Sequence, residues 1–505
     1  MRDHLVAFFE THQRLIEADA LRLLLSSPEP LLLSRQVLDA THDDRPFVTR
    51  EIVEEVLAHR SPISGGWAPA APRSEAVDAG SSPLDVARAP PTYSLIGEGF
   101  LTTAHRRDAL SEYSELFRSR YRALARMIRG RAELPQPRSV REIAGTEGTT
   151  SVVGLVREIR RTPQKGHTIV TLEDETGAVE VLVPKEGAAG RTPLVSDEVI
   201  GVRLKMNRDR RRLPLVEHLE RPDVPSRRSG RRADGPNHVL FLSDLHVGSK
   251  SFLADDWGRL VGFLRGEGSG AALAAAIDHV VVAGDLVDGI GIYPNQDRDL
   301  AVHDIVEQYT ELGRRLRELP ERLSIVVLPG NHDAVCPSEP QPAIPPALAA
   351  RLPANVRSVG NPSTFALNGV VVQAYHGRSF DDLIPAIPGA TYARPTDVMK
   401  LMLQMRHLGP IYGGRTPMTP QGRDGLLVDP TPDILVTGHA HTFGVDSYRG
   451  VRLLNASAWQ AETEYQRMRN ITAVPGRGAA VDLSTLAVTE IDCTGSTVRI
   501  APVAG

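Results

Sequence analysis

From residue 237 onward the chain repeats one pattern: an apolar run that stops abruptly at acids, amides or histidines. The runs close as Asp244-Leu-His246, Gly284-Asp285-Leu-Val-Asp288, Gly330-Asn331-His332-Asp333, Tyr375-His376-Gly377 and Gly438-His439-Ala-His441. Short continuous apolar runs read as buried strands, and the helical spacing between them, at about 253–265 and 301–318, reads as crossovers. Strand, helix, strand with polar residues at the strand C-termini is an α/β arrangement. Ligands in such sheets bind outside those C-termini. No coiled-coil, collagen-like or globally disordered chain carries this pattern.

The residue types at these five ends offer carboxylate, amide and imidazole donors. The only cysteines are Cys336 and Cys493, so neither a thiolate zinc site nor a disulfide scaffold is available. Hard oxygen and nitrogen donors suit Mn²⁺, Mg²⁺, Fe²⁺ or Zn²⁺. Glycines before Asp285, Asn331 and His439 permit tight turns that bring backbone and ligands close.

A length of 505 residues predicts about three domains. Residues 1–60 read as a small helical module, with Leu5, Phe8, Phe9, Leu15, Ile16, Ile52, Val53, Val56 and Leu57 at helical spacing. Residues 61–95, rich in Pro, Ala, Ser and Gly, read as a flexible linker. Within a helical connector over 96–148, a strong helix is predicted at about 104–129. Its arginines, among them Arg106, Arg118, Arg120, Arg122 and Arg126, are assigned to a solvated face, with nucleic-acid contact as the alternative. Residues 149–225 hold short strands with a tight hairpin at 173–177, which suits a small barrel of the OB type or another small β-barrel. A basic linker over 226–236 leads to the α/β domain at 237–505.

The near-zero formal charge of −4 conceals a basic stretch at 203–232. There Arg208, Arg210, Arg211 and Arg212 follow the barrel strands, and Arg227, Arg228, Arg231 and Arg232 occupy the linker. Such a run is either a solvated linker or, beside a barrel, a contact to the phosphate backbone. The N-terminus mixes acids and His into its apolar positions, which is no signal peptide, and no run of 18 apolar residues is present for a membrane span. A cytoplasmic, nucleoid-associated protein is expected.

The ordered set DLH, GDLVD, GNHD, H and GHAH resembles the calcineurin-like metallophosphoesterase superfamily. That resemblance implies a phosphoesterase β-sandwich flanked by helices and two divalent cations, with Mn²⁺ expected first. Asp244, His246 and His441 would hold one cation, and Asn331, His376 and His439 the other, with Asp285 between them. A pair of cations clamps the attacking and leaving oxygens of an in-line displacement. His332 would be the catalytic residue that is not a ligand. Asp288 would orient His332, or serve only as a turn residue before Gly289; Asp333 reads as a turn acid.

The barrel segment VVGLVREIRRT…GHTIVTLEDETGAVEVLVP, with Phe241–Ser249, Gly284–Pro294 and the helix bearing Phe117, Arg120, Tyr121 and Leu124, is similar to the small subunits of archaeal family-D DNA polymerases. This second resemblance implies a 3′–5′ proofreading exonuclease that assembles with a large catalytic subunit. DNA, as a primer–template with a single-stranded 3′ end, would be its other partner, and a sliding clamp would be reached through the complex. The alternatives are an architectural subunit that docks the polymerase, or a free-standing metallophosphoesterase. Residues 377–425 would form a lid or the interface to the large subunit.

Overall fold

The computed structural model describes residues 92–96 and 109–503, apart from 208, 210, 211, 227–229, 236, 420, 464, 465 and 468–471. Before them it describes only residues 15, 16, 20, 23, 24, 33, 34, 37, 47, 48, 53 and 56. The chain divides into two compact units, residues 1–88 with 103–105 and residues 89–102 with 106–505. In the first unit Leu15–Ile16 (β1) pairs in parallel with Phe47–Val48 (β2). Leu15 and Ile16 therefore lie on a strand, not on the expected helix. An adjacent apolar pair satisfies a helical stripe and a buried strand equally well, so spacing alone does not decide it. Val53 and Val56 are helical as expected, while Leu5, Phe8, Phe9, Ile52 and Leu57 lie outside the described residues.

The second unit contains a closed barrel and a two-sheet sandwich. Thr149–Arg161 (β4), Thr168–Asp174 (β5), Gly177–Val183 (β6), Val199–Lys205 (β7) and Leu215–Glu220 (β8) close in the order β4-β5-β6-β8-β7. Only the β6–β8 pairing is parallel. Side chains alternate along each strand. Val152 on β4 therefore faces the barrel interior with Val170, Val181 and Val202, and Val153 faces outward onto the Ala109–Ile128 helix. Tyr121, Leu124, Ala125 and Ile128 of that helix cover this outer patch.

The sandwich rests on the same alternation. His238–Leu242 (β9), Ile277–Ala283 (β10), Ser324–Leu328 (β11) and Val356–Ser358 (β12) form a parallel group. Antiparallel strands Arg477–Asp482 (β18), Val488–Asp492 (β19) and Arg499–Val503 (β20) extend it to seven strands beside β9. Val239, Phe241, Val281, Ala283, Val326 and Leu328 point into the sandwich. Their neighbours Leu240, Val280, Val282, Ile325 and Val327 point out onto the helices Ala254–Leu264 and Ile305–Arg317. The second sheet runs Phe443–Tyr448 (β16), Val451–Ala456 (β17), Ile434–Thr437 (β15), Val370–Ala374 (β14), Ser363–Leu367 (β13) and Tyr93–Leu95 (β3). Its outer face is covered by Phe380–Ala386 and Pro395–Met405.

Two expectations change here. The end of the presumed linker, Tyr93–Leu95, is a strand that pairs antiparallel with β13. Tyr93 stacks on Phe365 at 5.5 Å and carries Arg357 over its ring at 4.3 Å. The segment 377–425 is no bare lid. It contains the two covering helices, and its later part meets the barrel-side helix. At that joint Arg120 is fully buried rather than solvated. Its guanidinium donates to Asp424 Oδ2 at 2.6 Å, Pro410 O at 2.6 Å and Asp197 O at 3.1 Å. His407 completes the group, with Nε2 at 2.9 Å from Asp424 Oδ2. Among the described residues no helix is long and apolar enough to cross a membrane.

Candidate metal centre

The five strand ends expected to carry chemistry meet at one edge of the sandwich. β9 delivers Asp244 and His246, β10 Asp285 and Asp288, β11 Asn331 and His332, β14 His376, and β15 His439 and His441. Asp244, His246, Asp285, His439 and His441 all have φ between +49° and +64°. Non-glycine residues rarely adopt this region, and such strain persists where surrounding structure enforces it, often at functional sites. Glycines allow the close packing between the turns. A Cβ on Gly438 would stand 1.8 Å from Ser243 Oγ, and one on Gly330 would stand 2.2 Å from Asp285 Oδ1.

Two groups of donors form. Asp244, His246 and His441 make the first. His246 Nε2 lies 3.1 Å from His441 Nε2, which lies 3.2 Å from Asp244 Oδ1. Asp285, His376 and His439 make the second. His376 Nε2 is 3.3 Å from Asp285 Oδ2 and 3.1 Å from Asn331 Oδ1. Asp285 Oδ2 is also 3.7 Å from His246 Nε2, so this oxygen faces both groups. Two donors each bound at about 2.0–2.2 Å to one cation sit roughly 3.0–3.5 Å apart. The observed separations fit divalent ions, and the donor types match those expected.

Hydrogen bonds fix which nitrogen each histidine offers. A backbone carbonyl accepts only, so His376 Nδ1 must donate to Ala283 O, 3.0 Å away, leaving Nε2 for a cation. His246 Nδ1 donates in the same way to Asp288 Oδ1 at 3.0 Å. His439 Nε2 lies 3.4 Å from Asp381 Oδ1, which leaves Nδ1. Gln466 Nε2 approaches His441 Nδ1 at 2.6 Å.

Electrostatics favour positive charge here. Burial pushes the Asp285 carboxyl up, but the facing His376, His332 and His246 outweigh it and hold it well below the usual carboxylate range. Burial lowers His376, yet Asp285 and Asp244 raise it to about 10. Burial lowers His246.

His332 stands beside both groups, its Nε2 4.0 Å from Asp285 Oδ2. Its Nδ1 donates to the backbone oxygen of Asp288 at 2.7 Å. Asp288 thus holds His332 through its main chain, while its carboxylate is committed to His246, Gln460 and Gln296. This differs from the expected carboxylate–His332 pairing. A further grouping of His246, Asp288 and His332 is accounted for by these hydrogen bonds. Asp333 is also more than a turn acid. It is buried, and it accepts from Gly330 N, Leu286 N and Tyr309 OH at 2.8, 3.1 and 2.7 Å, tying the second motif to the third. Burial and the nearby Asp285 push it up to about 6.

Sequence reasoning missed Asp381, Gln296, Gln460 and Gln466, which lie outside the five motifs. It also missed Asn361, whose Oδ1 accepts from His376 N at 2.8 Å. Of the basic run, Arg212 is exposed, 3.7 Å from Asp209, and Arg208, Arg210 and Arg211 lie outside the described residues. Phe380 and Trp459 are core residues.

A helix-flanked sandwich with two donor groups sharing one aspartate at its strand ends is a calcineurin-like phosphoesterase fold, here joined to a barrel. Residues 239–445 match the model of the B-type small-subunit family of DNA polymerases alpha and epsilon. The chain is 41% identical over 373 residues to the DNA polymerase II small subunit of Archaeoglobus fulgidus, spanning 73% of this chain and 75% of that one. It is 34% identical over 480 residues to the protein of the same name from Halobacterium salinarum, spanning 94% and 90%. The chain belongs to the family of archaeal DNA polymerase II small subunits, the polymerase family expected from its motifs. Among solved structures, the Vps29 of Entamoeba histolytica crystallised with zinc is similar at 15% identity and a TM-score of 0.27, over 53% of this chain and 98% of that one.

Proposed function

We propose that this subunit is the 3′–5′ exonuclease that proofreads for a two-subunit DNA polymerase. The observation that carries the reading is Asp285 Oδ2 facing two donor groups, with the His332 imidazole beside them. Asp244, His246 and His441 would hold one divalent cation and Asn331, His376 and His439 the other, with Asp285 shared. Two such cations supply charge neutralisation at phosphorus and a nucleophilic water near neutral pH. Asp288 and Ala283 fix the tautomers of His246 and His376 and so aim their free nitrogens. Because His332 Nδ1 is committed to Asp288 O, its protonated form presents Nε2–H toward the centre. That proton goes to the 3′ oxygen as the P–O3′ bond breaks and a water oxygen joins phosphorus, releasing a nucleoside 5′-monophosphate.

The barrel's strand order, with β6–β8 the single parallel pair, supports an OB-type assignment and a single-strand platform, with the exposed Arg212 at its side. A frayed 3′ end has already lost its pairing, which suits a site that acts on single strands.

The test is the subunit assembled with its large partner, given Mn²⁺ and a primer with a mismatched 3′ end. His332→Ala should retain assembly and lose 3′ degradation by about a hundredfold or more. Wild type that degrades no 3′ end, alone or assembled, would leave the architectural reading. Hydrolysis of small phosphomonoesters in its place would mark a free-standing phosphatase.

A further inference from the structure

Six large hydrophobic side chains stay exposed among the described residues, and two of them are Ile290 and Ile292, at 48% and 38%. Both lie on the loop that follows Asp288, beside a polar centre where nothing apolar is needed for metal binding. Tyr293, half-buried, comes next, its ring centroid 6.4 Å from that of His332. The loop abuts the catalytic histidine directly. A Cβ on Gly289, whose φ is +71°, would meet His332 O at 2.2 Å and Ile292 Cγ1 at 3.1 Å.

This apolar rim is held in place by its own buried scaffold. Gln296 and Gln308 are buried glutamines whose side chains satisfy the loop backbone. Gln296 accepts from Ile292 N at 2.8 Å and donates to Asp288 O at 2.8 Å. Gln308 accepts from Gly289 N at 2.9 Å and donates to Gly289 O at 3.1 Å. Tyr293 OH is tied to Asp299 Oδ2 at 3.0 Å, so the ring has a fixed seat. Exposed aliphatics on a preorganised loop lose little entropy on contact. A nucleobase next to the scissile phosphate offers the flat apolar face that such a surface matches. Aromatic side chains stack bases without regard to sequence, and Ile or Leu wedges part stacked bases.

We propose that the Gly289–Tyr293 loop is the seat of the terminal nucleobase, with Tyr293 as stacking partner and Ile290 and Ile292 as the wedge that keeps it off its neighbour. Ile290, Ile292 and Tyr293 are specificity-determining residues for the 3′ end, and this rests on the nuclease reading above. The loop tells an unpaired terminal nucleotide from a paired one by engaging a base that has already left the duplex.

The experiment uses the subunit assembled with its large partner, Mn²⁺ and no nucleotides. Two single strands are compared, identical except that one ends in a normal 3′ nucleotide and the other in an abasic 3′ residue. Wild type should show a KM about tenfold lower for the base-bearing end, the scale of one stacked base. Ile290→Ser with Ile292→Ser, and separately Tyr293→Ser, should raise that KM to the abasic value. Tyr293→Phe, which keeps the ring and drops the bond to Asp299, should retain the discrimination. Equal KM for the two ends in wild type, or full discrimination in both serine variants, overturns the base seat while leaving the nuclease reading standing. Wild type that cuts neither strand overturns both.

Discussion

The centre at the strand ends and the joint around Arg120 both bury charged groups, and they balance that charge in opposite ways. At the joint the balance closes within the protein. Asp424 receives Arg120, His407 and Leu426 N, and the guanidinium gives its remaining donors to two carbonyls. Burial raises Asp424, yet Arg120 and His407 hold it far below the ordinary range. At the centre, Asp244, Asp285 and Asp288 are buried against imidazoles and amides. Imidazole is a weaker and conditional partner, and carboxylates so arranged favour cations. One region is finished by folding, whereas the other is finished by binding.

Removing the shared carboxylate should break the centre and spare the joint. Asp285→Asn should lose metal and 3′-end hydrolysis by more than the about 100-fold that loss of an outer partner costs. Metal content by elemental analysis and rate on a mismatched primer measure it, with an unchanged melting temperature for the metal-stripped protein. Normal metal content would remove Asp285 from its shared position.

The joint should respond in the reverse sense. Arg120→Met leaves Asp424 buried without its cation, a loss of about 3–5 kcal/mol. Arg120→Met with Asp424→Leu should recover much of that, because a buried pair replaced by apolar groups of similar volume is close to neutral. Denaturant unfolding of both variants measures the difference. A single variant as stable as wild type would mean the pair is dispensable.

Asp288→Asn separates two roles that lie on one residue. The amide would present N–H groups where His246 Nδ1, Gln460 and Gln296 now donate, so metal affinity should fall about 10–100-fold. His332 is held by the backbone oxygen and keeps its seat. Excess Mn²⁺ should therefore restore the rate. A rate that stays low at saturating metal would return the carboxylate to the role of orienting His332.

The same contrast explains what the sequence made legible. Every donor of the centre sits within four residues of a strand end, so local pattern announces it, and the strands then gather the motifs. Arg120 and Asp424 are 304 residues apart, and helical periodicity assigns the arginine to a wet face because it carries no information about its partner. Tyr93–Leu95 is too short to signal a strand, and its partner β13 begins at Ser363. Asp288 shows a finer limit. Spacing predicts that it adjoins His332, but not that main chain and side chain of a turn residue face different neighbours.

The smallest expected effect is a pH dependence confined to the joint. His407 is neutral there by construction, since Nε2–H donates to Asp424 and Nδ1 accepts from Gly409 N at 3.1 Å. Burial lowers its pKa, Arg120 lowers it further, and Asp424 only partly offsets them. A folded pKa below the unfolded value, about 6.5, gives stability that is complete above pH 6.5. That stability is lost as pH falls, because the unfolded chain takes up a proton that the folded one refuses. Asp424 is depressed as well, but its contribution is lost only below about pH 4. Between pH 7.5 and 5, then, the joint's titration belongs to His407, with a slope of at most about 1.4 kcal/mol per pH unit. His407→Gln offers a donor and an acceptor without a titrating ring. The variant should lose stability less steeply than wild type over this interval, as read from denaturant midpoints at several pH values. Parallel slopes in the two proteins would mean that the imidazole charges without cost, and that the joint is not closed to water.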